Sequence, residues 1–97
     1  MNREDFEKQL AADGYTEIES QNLESRPGKG RHRHPFAVRG LVLSGTFVVA
    51  LDDEPVTFGP GQIFAVAEGR LHDEWVGPDG AQILVGRKFS KPQRARR

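Results

Sequence analysis

Three histidines are the residues of this 97-residue chain whose type and spacing could support chemistry. His32 and His34 stand one residue apart in the stretch GRHRHPF, and His72 follows in GRLHDEW. Neutral imidazoles are ligands for divalent transition metals such as Fe, Zn, Ni, Mn and Cu. A stable site needs a third protein ligand beyond the first pair, and His72 is the only other histidine. Because the chain has no cysteine, thiolate metal sites and disulfides are excluded.

The geometry of an extended chain separates these histidines from the arginines between them. Side chains of a strand alternate between its two faces. If residues 31–34 are extended, His32 and His34 point to one side, whereas Arg31 and Arg33 point to the other. The basic stretch therefore does not form one continuous patch for nucleic acid, and the formal net charge of zero gives no field that would attract nucleic acid or an anionic membrane.

Two other interpretations of the histidines remain open from the residues alone. Imidazoles inside a β-barrel can be satisfied by hydrogen bonds in a polar pocket without metal. They can also lie at the exposed edge of a strand. Only convergence of the three rings on one point distinguishes the metal site from these alternatives.

One short helix is predicted before the histidines. Asn2 can cap its first turn, and Phe6 and Leu10 lie four residues apart, so they share a face. Gly14 is a stop signal. These features predict an amphipathic helix over residues 3–13 that packs on a larger element.

The rest of the chain reads as short strands separated by turns. The 11 glycines and 6 prolines favour tight turns. An edge strand beginning at Tyr15 is expected to run into a loop at residues 27–30. Further strand candidates are 31–34, 37–43, 46–51, 55–58, 62–67, 72–76 and 81–88. The turns between them are expected at 44–45, 52–53, 59–61, 68–69 and 77–80. Short strands at this spacing predict an all-β sandwich or barrel.

The two ends of the chain and its hydropathy limit the class of protein. No apolar run approaches the ~20 residues that span a bilayer, and the acidic N-terminus is not a signal peptide. We therefore expect a cytoplasmic protein without membrane or nucleic-acid partners. The basic stretch 90–97 has no periodicity and is expected to be a disordered tail.

The spacing of the histidines resembles the two motifs of a small single-domain cupin of the RmlC-like jelly-roll superfamily. The first family motif is roughly G-x5-H-x-H-x3-E-x6-G, and here His32 and His34 are followed at its spacing by Val38 and Gly45. The second is roughly G-x5-P-x-G-x2-H-x3-N, and here it covers the stretch from Gly61 to His72 and beyond. Both motifs keep their register across residues 32–72.

The resemblance implies a fold and a set of ligands. It implies an antiparallel jelly-roll β-barrel with one short N-terminal helix, divided into a helix at 1–14, a barrel at 15–89 and a tail at 90–97. It also implies a homodimer and a metal bound by His32, His34 and His72.

The chain departs from the family motifs at several positions. Val38 stands where the family has a glutamate ligand, Ala67 replaces the motif proline, and Val76 replaces the terminal asparagine. The implied site is therefore three histidines without glutamate, which leaves coordination positions for water or substrate.

Other residues are candidates for the same pocket. Glu74 lies two residues after His72, hence on the same face, where a carboxylate could act as a general base, a proton shuttle or a partner for an imidazole. Arg39 could point outward as a surface or dimer-interface residue, or, if a bulge turned it inward, it could hold a substrate carboxylate by a two-pronged bond. The expected pocket walls are Phe36, Val38, Phe47 and Phe64.

Two functions follow from this reading. The first is a small metalloenzyme acting on a small polar organic molecule, with dioxygenase-like chemistry for iron and isomerase or hydrolase chemistry for other metals. The second is a non-catalytic ligand-binding or sensor module. A storage or scaffold role ranks last, because it would not need three inward histidines.

Overall fold

The computed structural model of the chain describes residues 1–90. It contains one helix followed by five strands. These elements are α1 (Arg3–Ala12), β1 (Thr16–Leu23), β2 (Ala37–Leu51), β3 (Glu54–Phe58), β4 (Ile63–Val66) and β5 (Asp73–Lys88). All the strand pairings are antiparallel. The structure thus confirms the predicted antiparallel β fold with one short N-terminal helix.

The helix forms where the capping and apolar pattern predict it. The side chain of Asn2 accepts a hydrogen bond from the backbone N–H of Asp5 at 2.8 Å. Phe6 and Leu10 are fully buried. They pack with Leu41 of β2 and Leu84 of β5, which fixes the helix on one face of the sheet.

The strands form one sheet in the order β1-β5-β2-β3, with β4 also paired to β2. Strand β2 lies at its centre because β5 pairs along one side of it, and β4 and β3 pair along the other. Among residues 1–90, hydrogen bonds do not close the sheet, and β1, β3 and β4 each pair with one other strand.

Strands β2 and β5 pass through two stretches that the sequence predicts as turns, 44–45 and 77–80. Those turn predictions were wrong: each stretch lies within one strand. The β2–β5 register shifts between Val42 and Ser44 and again between Gly45 and Phe47. Gly45 has φ +75° and packs against the Gly80 backbone, so that a side chain would not fit. Glycine here produces bulges that bend the paired strands without ending them.

The bend brings two halves of the sheet around a common interior. Alternate residues of β2 and β5 point inward from both sides of the bend. The buried interior cluster consists of Val42, Phe47, Val49, Phe64, Val66, Val76, Ala81, Ile83 and Val85.

Residues 24–36 lead from β1 to β2 beside β5 without forming a regular strand, and none of them is buried. The predicted strand at 31–34 is wrong in its extent, since only His32 makes a bridge, to His72. A second isolated bridge joins Arg26 to Val76. We call residues 24–36 the strap.

Two expectations concern the termini and membranes. The predicted disordered tail falls almost wholly on residues 91–97, which lie outside the described residues. Among residues 1–90, no helix is both long and apolar enough to cross a membrane.

Candidate metal centre

The backbone places His32 beside His72. The N–H of His32 donates to the carbonyl of His72 at 2.9 Å, and the N–H of His72 donates to the carbonyl of His32 at 3.0 Å. Residues that exchange both bonds in an antiparallel pair present their side chains on the same face. The two ring centroids accordingly lie 4.3 Å apart.

His34 completes the cluster from the strap. Its carbonyl accepts a hydrogen bond from the N–H of Gly69 at 2.9 Å. Its ring lies 5.0 Å from that of His32 and 5.3 Å from that of His72, and it stacks on Phe36 at 4.9 Å. One nitrogen of each histidine lies within 4.8 Å of one nitrogen of the others. The three rings therefore converge as the sequence analysis requires.

Hydrogen bonds orient two of the imidazoles. Nδ1 of His32 lies 2.9 Å from the carbonyl oxygen of Gly30, and Nδ1 of His72 lies 2.9 Å from that of Arg70. A carbonyl oxygen only accepts, so each Nδ1 must carry the proton. Nε2 of both rings then presents a lone pair, the arrangement typical of metal-ligating histidine.

Nε2 of His32 gives a direct test of whether a metal fits. This atom is buried and has no hydrogen-bond partner among residues 1–90. Leaving a buried polar atom unpaired costs about 1–3 kcal/mol. A divalent transition metal would satisfy it, and three neutral imidazoles are a suitable donor set for such an ion. The residues present therefore fit a metal.

His34 is also biased toward the neutral form that binds metal. Its partial burial, followed by the neighbouring His32 and His72, lowers the pKa of His34 below its ordinary value of 6.5. Burial lowers a histidine pKa because it penalises the charged imidazolium.

Glu74 is the carboxylate of this cluster. Its Oε2 lies 3.8 Å from Nε2 of His72, and its Oε1 lies 3.4 Å from Arg26 and 3.7 Å from Lys29. Arg26 also donates to the Glu74 backbone carbonyl at 2.9 Å. Glu74 thus stands between the histidines and two cations of the strap.

A cavity of about 200 Å³ adjoins the histidines. Its apolar walls are Phe36, Val38, Phe47, Phe64, Val66, Ile83 and Val85. Its polar lining consists of Gln21, Lys29, His34, His72, Glu74 and Arg87.

The profile of the family described as "Cupin domain" matches residues 21–85, which is more than half of the chain. The chain belongs to the cupin family. The histidine cluster lies within the matched region. Among curated proteins, none matches the sequence.

Solved structures share the cupin fold at low sequence identity. A conserved protein of unknown function from Streptococcus pyogenes is 23% identical with a TM-score of 0.68, over 77% of this chain and 65% of that one. A predicted oxalate decarboxylase from Thermotoga maritima is 17% identical with a TM-score of 0.66, over 84% and 73%. A cupin-2 domain containing protein from Shewanella frigidimarina is 15% identical with a TM-score of 0.62, over 96% and 94%. This cupin thus spans just under two thirds of the streptococcal protein, and these likenesses establish the jelly-roll fold alone.

The structure brings most of the expected pocket residues of this cupin together. Phe36, Val38, Phe47 and Phe64 line the cavity with Glu74. Val38 therefore occupies the wall where the family motif carries a glutamate ligand.

Arg39 is the exception among the expected pocket residues. Its guanidinium lies 2.5 Å from Asp13 and 4.6 Å from the centroid of the Tyr15 ring, on the face that carries helix α1. No bulge interrupts β2 between residues 38 and 41, so Arg39 alternates away from Val38. The inward position considered for Arg39 is not the one in the structure.

Sequence reasoning missed four polar residues around the cavity. These residues are Gln21, Arg26, Lys29 and Arg87. Gln21 and Arg87 lie on strands, so alternation was the available signal. Arg26 and Lys29 lie in the strap, which has no periodicity that would place their side chains.

Proposed function

We propose that this cupin binds one divalent transition metal through His32, His34 and His72 and is a small metalloenzyme acting on a small polar organic molecule. The observation that carries the proposal is Nε2 of His32, which is buried, has no partner among residues 1–90 and belongs to a cluster of three convergent imidazoles. Three protein ligands leave coordination positions for a substrate.

Glu74 is the proposed proton carrier. When bound, the metal supplies Lewis-acid activation, or oxidation by dioxygen in the case of iron. Glu74 lies beside His72 and lines the same cavity, so its carboxylate can take a proton from a molecule bound there. Arg26 and Lys29 lie against the other oxygen of this carboxylate and hold the side chain beside the cavity. Dioxygenase-like chemistry is the first reaction class to test, and isomerase or hydrolase chemistry is the second.

A non-catalytic ligand-binding role is the second candidate. The observation that favours it is that Arg26 and Lys29 both pair with Glu74, while its other oxygen faces His72. A carboxylate that is already paired with two cations is suited to a fixed position at the edge of a binding site rather than to moving a proton.

Metal content is the first test. Protein produced without a histidine tag should bind one equivalent of Zn²⁺ or Fe²⁺ by elemental analysis after desalting. His72→Ala should bind less than a tenth of that amount, whereas Arg33→Ala, which changes an exposed residue between two ligands, should bind the same amount as wild type. Equal metal in the His72 variant and wild type would overturn the site.

The role of Glu74 separates the two candidates. We expect Glu74→Gln to retain metal while oxygen uptake with diketone or thiol substrates falls at least about a hundredfold. Glu54→Gln, which changes an exposed glutamate of β3, is the matched control. Stoichiometric ligand binding without turnover in wild type would favour the sensor.

We also propose that this cupin forms a homodimer. Apolar side chains are exposed on the surface of the chain, including Val56 at 52%, Leu71 at 38% and Ile63 at 36%. Light scattering after gel filtration should give twice the chain mass of 10.8 kDa. The monomer mass at micromolar concentration would contradict this proposal.

A further inference from the structure

The cavity carries more positive than negative charge. Lys29 and Arg87 both line it, and among residues 1–90 Glu74 is the only acidic residue in its lining. The lining histidines contribute no charge when neutral. The side chains thus give the cavity a net charge of +1, to which a divalent ion bound by the proposed site would add +2.

We infer that the cavity binds a small organic carboxylate, with Arg87 and Lys29 selecting its negative charge; this deepens the proposed function and rests on it. Nothing in the family assignment or in the sequence motifs gives a role to either cation.

Arg87 reaches the cavity because of its place on β5. Val85 and Arg87 are two residues apart and both line the cavity, whereas Lys88 lies on the other face, with its ammonium 5.8 Å from the centroid of the Tyr15 ring. The guanidinium also lies 5.5 Å from the centroid of the Phe36 ring, which stacks on His34. The Phe36 ring therefore contacts both the Arg87 guanidinium and the histidine cluster.

The donors of Arg87 are largely free for a ligand. Of its five side-chain N–H groups, one donates within residues 1–90, to Glu19 at 3.3 Å. Glu17 lies 3.6 Å from the guanidinium without forming a hydrogen bond. Both glutamates are about half exposed on the edge strand and do not line the cavity, so water screens their charge. They hold the guanidinium in place, and its remaining N–H groups can form a two-pronged bond with a carboxylate.

Lys29 supplies the second charge from the strap. Its ammonium lies 3.7 Å from Glu74, beyond hydrogen-bonding distance, and the side chain is 55% exposed. Asp73 holds the backbone of this residue by accepting from the N–H of Lys29 at 3.1 Å. The ammonium itself can therefore turn toward a ligand while its backbone stays fixed.

The walls and volume limit the body of the ligand. Phe47, Phe64, Ile83 and Val85 are apolar, so an aliphatic body is favoured over a sugar. A volume of about 200 Å³ is below the ~300 Å³ at which drug-sized ligands begin. The expected ligand class is a short-chain carboxylic acid.

Butyrate and its neutral analogue butyramide test the inference, because they have the same size and differ in charge. Calorimetry or NMR titration of the zinc-loaded protein should give at least tenfold tighter binding of butyrate. Arg87→Met should remove most of this preference while leaving butyramide unchanged. Lys29→Met should reduce the preference, whereas Lys88→Met, which changes the neighbouring cation on the opposite face, should preserve it. Arg87→Lys keeps the positive charge but cannot donate two parallel hydrogen bonds to a carboxylate, so it should give an intermediate preference for butyrate. It provides a second variant if Arg87→Met fails to fold.

The same titration on protein stripped of metal separates the two proposals. Lys29 and Arg87 belong to the cavity whether or not metal is bound, so a weaker preference for butyrate should persist. A protein that binds no metal but prefers butyrate overturns the metalloenzyme and leaves the anion site standing. If the protein binds metal but binds butyrate and butyramide equally, the anion site alone is overturned. The same holds if the preference for butyrate persists in Arg87→Met.

Discussion

His32 and His72 are joined by two backbone hydrogen bonds, of 2.9 and 3.0 Å, and their rings lie 4.3 Å apart. The bonds between the main chains thus set the separation of two candidate metal ligands. Because Gly30 and Arg70 fix the ring orientations as well, the pair is organised before any metal binds.

Metal should stabilise the fold, because a ligand that binds only the folded state adds to its free energy of unfolding. At a free Zn²⁺ concentration of one hundred times Kd, the gain is about 2.7 kcal/mol, which corresponds to a rise in Tm of roughly 10–20 °C for a chain of this size. Differential scanning fluorimetry with and without chelator measures it. His72→Ala should lose the rise and Arg33→Ala should keep it. A similar rise in both variants would locate the metal elsewhere.

The tautomers of the paired histidines can be tested directly. Since Gly30 and Arg70 offer only carbonyl acceptors, His32 and His72 should both be protonated on Nδ1 in chelator-treated protein at pH 8. Long-range ¹H–¹⁵N correlation spectra distinguish the two tautomers. A proton on Nε2 of either ring would contradict the arrangement in which that nitrogen faces the metal.

Val38→Glu should restore the carboxylate that the family motif carries. Val38 lines the cavity with the histidines, so a glutamate there can reach the metal. We expect zinc affinity to rise at least about tenfold, or 1.4 kcal/mol, in competition with a chromogenic chelator. The metal-free variant should have a lower Tm because it partly buries an unpaired carboxylate. Val38→Gln is the matched control for side-chain size, and it should gain little. An unchanged affinity in Val38→Glu would place residue 38 out of reach of the ion.

The lowered pKa of His34 makes the stability of metal-free protein depend on pH. His34 binds a proton more readily in the unfolded chain than in the folded chain. The free energy of unfolding therefore rises with pH between the folded pKa of His34 and 6.5. The contribution of neutral His34 to the free energy of unfolding is complete above pH 6.5, and it is lost as the pH falls through the pKa of His34 in the folded chain. Urea unfolding between pH 7.5 and 5 measures the effect, and His34→Gln should flatten the curve. An NMR titration that placed the His34 pKa above 6.5 would reverse this sign.

Gly40→Ala should destabilise the interior beside the site. A methyl group at residue 40 would overlap the ring of Phe64, which is only 3% exposed and lines the cavity. We expect a loss of about 1–3 kcal/mol in urea unfolding. Gly59→Ala is the matched control, because its nearest neighbour would be the Gln62 side chain at 3.8 Å. Phe64→Leu replaces the ring by a smaller side chain, so the Gly40→Ala/Phe64→Leu double variant should recover part of the lost free energy of unfolding. Wild-type stability in Gly40→Ala would show that the ring moves away without cost.

The sequence predicted those parts of the site that obey strand alternation. His72 and Glu74 are two residues apart, and both face the cavity as expected. Arg39 obeys the same rule, which is why it faces helix α1 instead. The catalytic role of Glu74, the homodimer and the cytoplasmic location stay predictions.

The rest could not be read from local pattern. Glycine at residues 45 and 80 signals either a turn or a bulge, and only the pairing of β2 with β5 decides between them. The strap has no periodicity, so the ion pairs of Arg26 and Lys29 with Glu74 depend on contacts across the fold.

The strap contributes two candidate metal ligands and both cations around Glu74, yet within residues 1–90 it adds only isolated bridges, at Arg26 and His32, to the ladder of strands. Most of the polar groups of the site therefore lie in a segment that takes little part in the pairing of the strands. We expect that exchanging residues 24–36 for the corresponding loop of another jelly roll would change which metal is bound while the pairing of strands β1 to β5 stays the same.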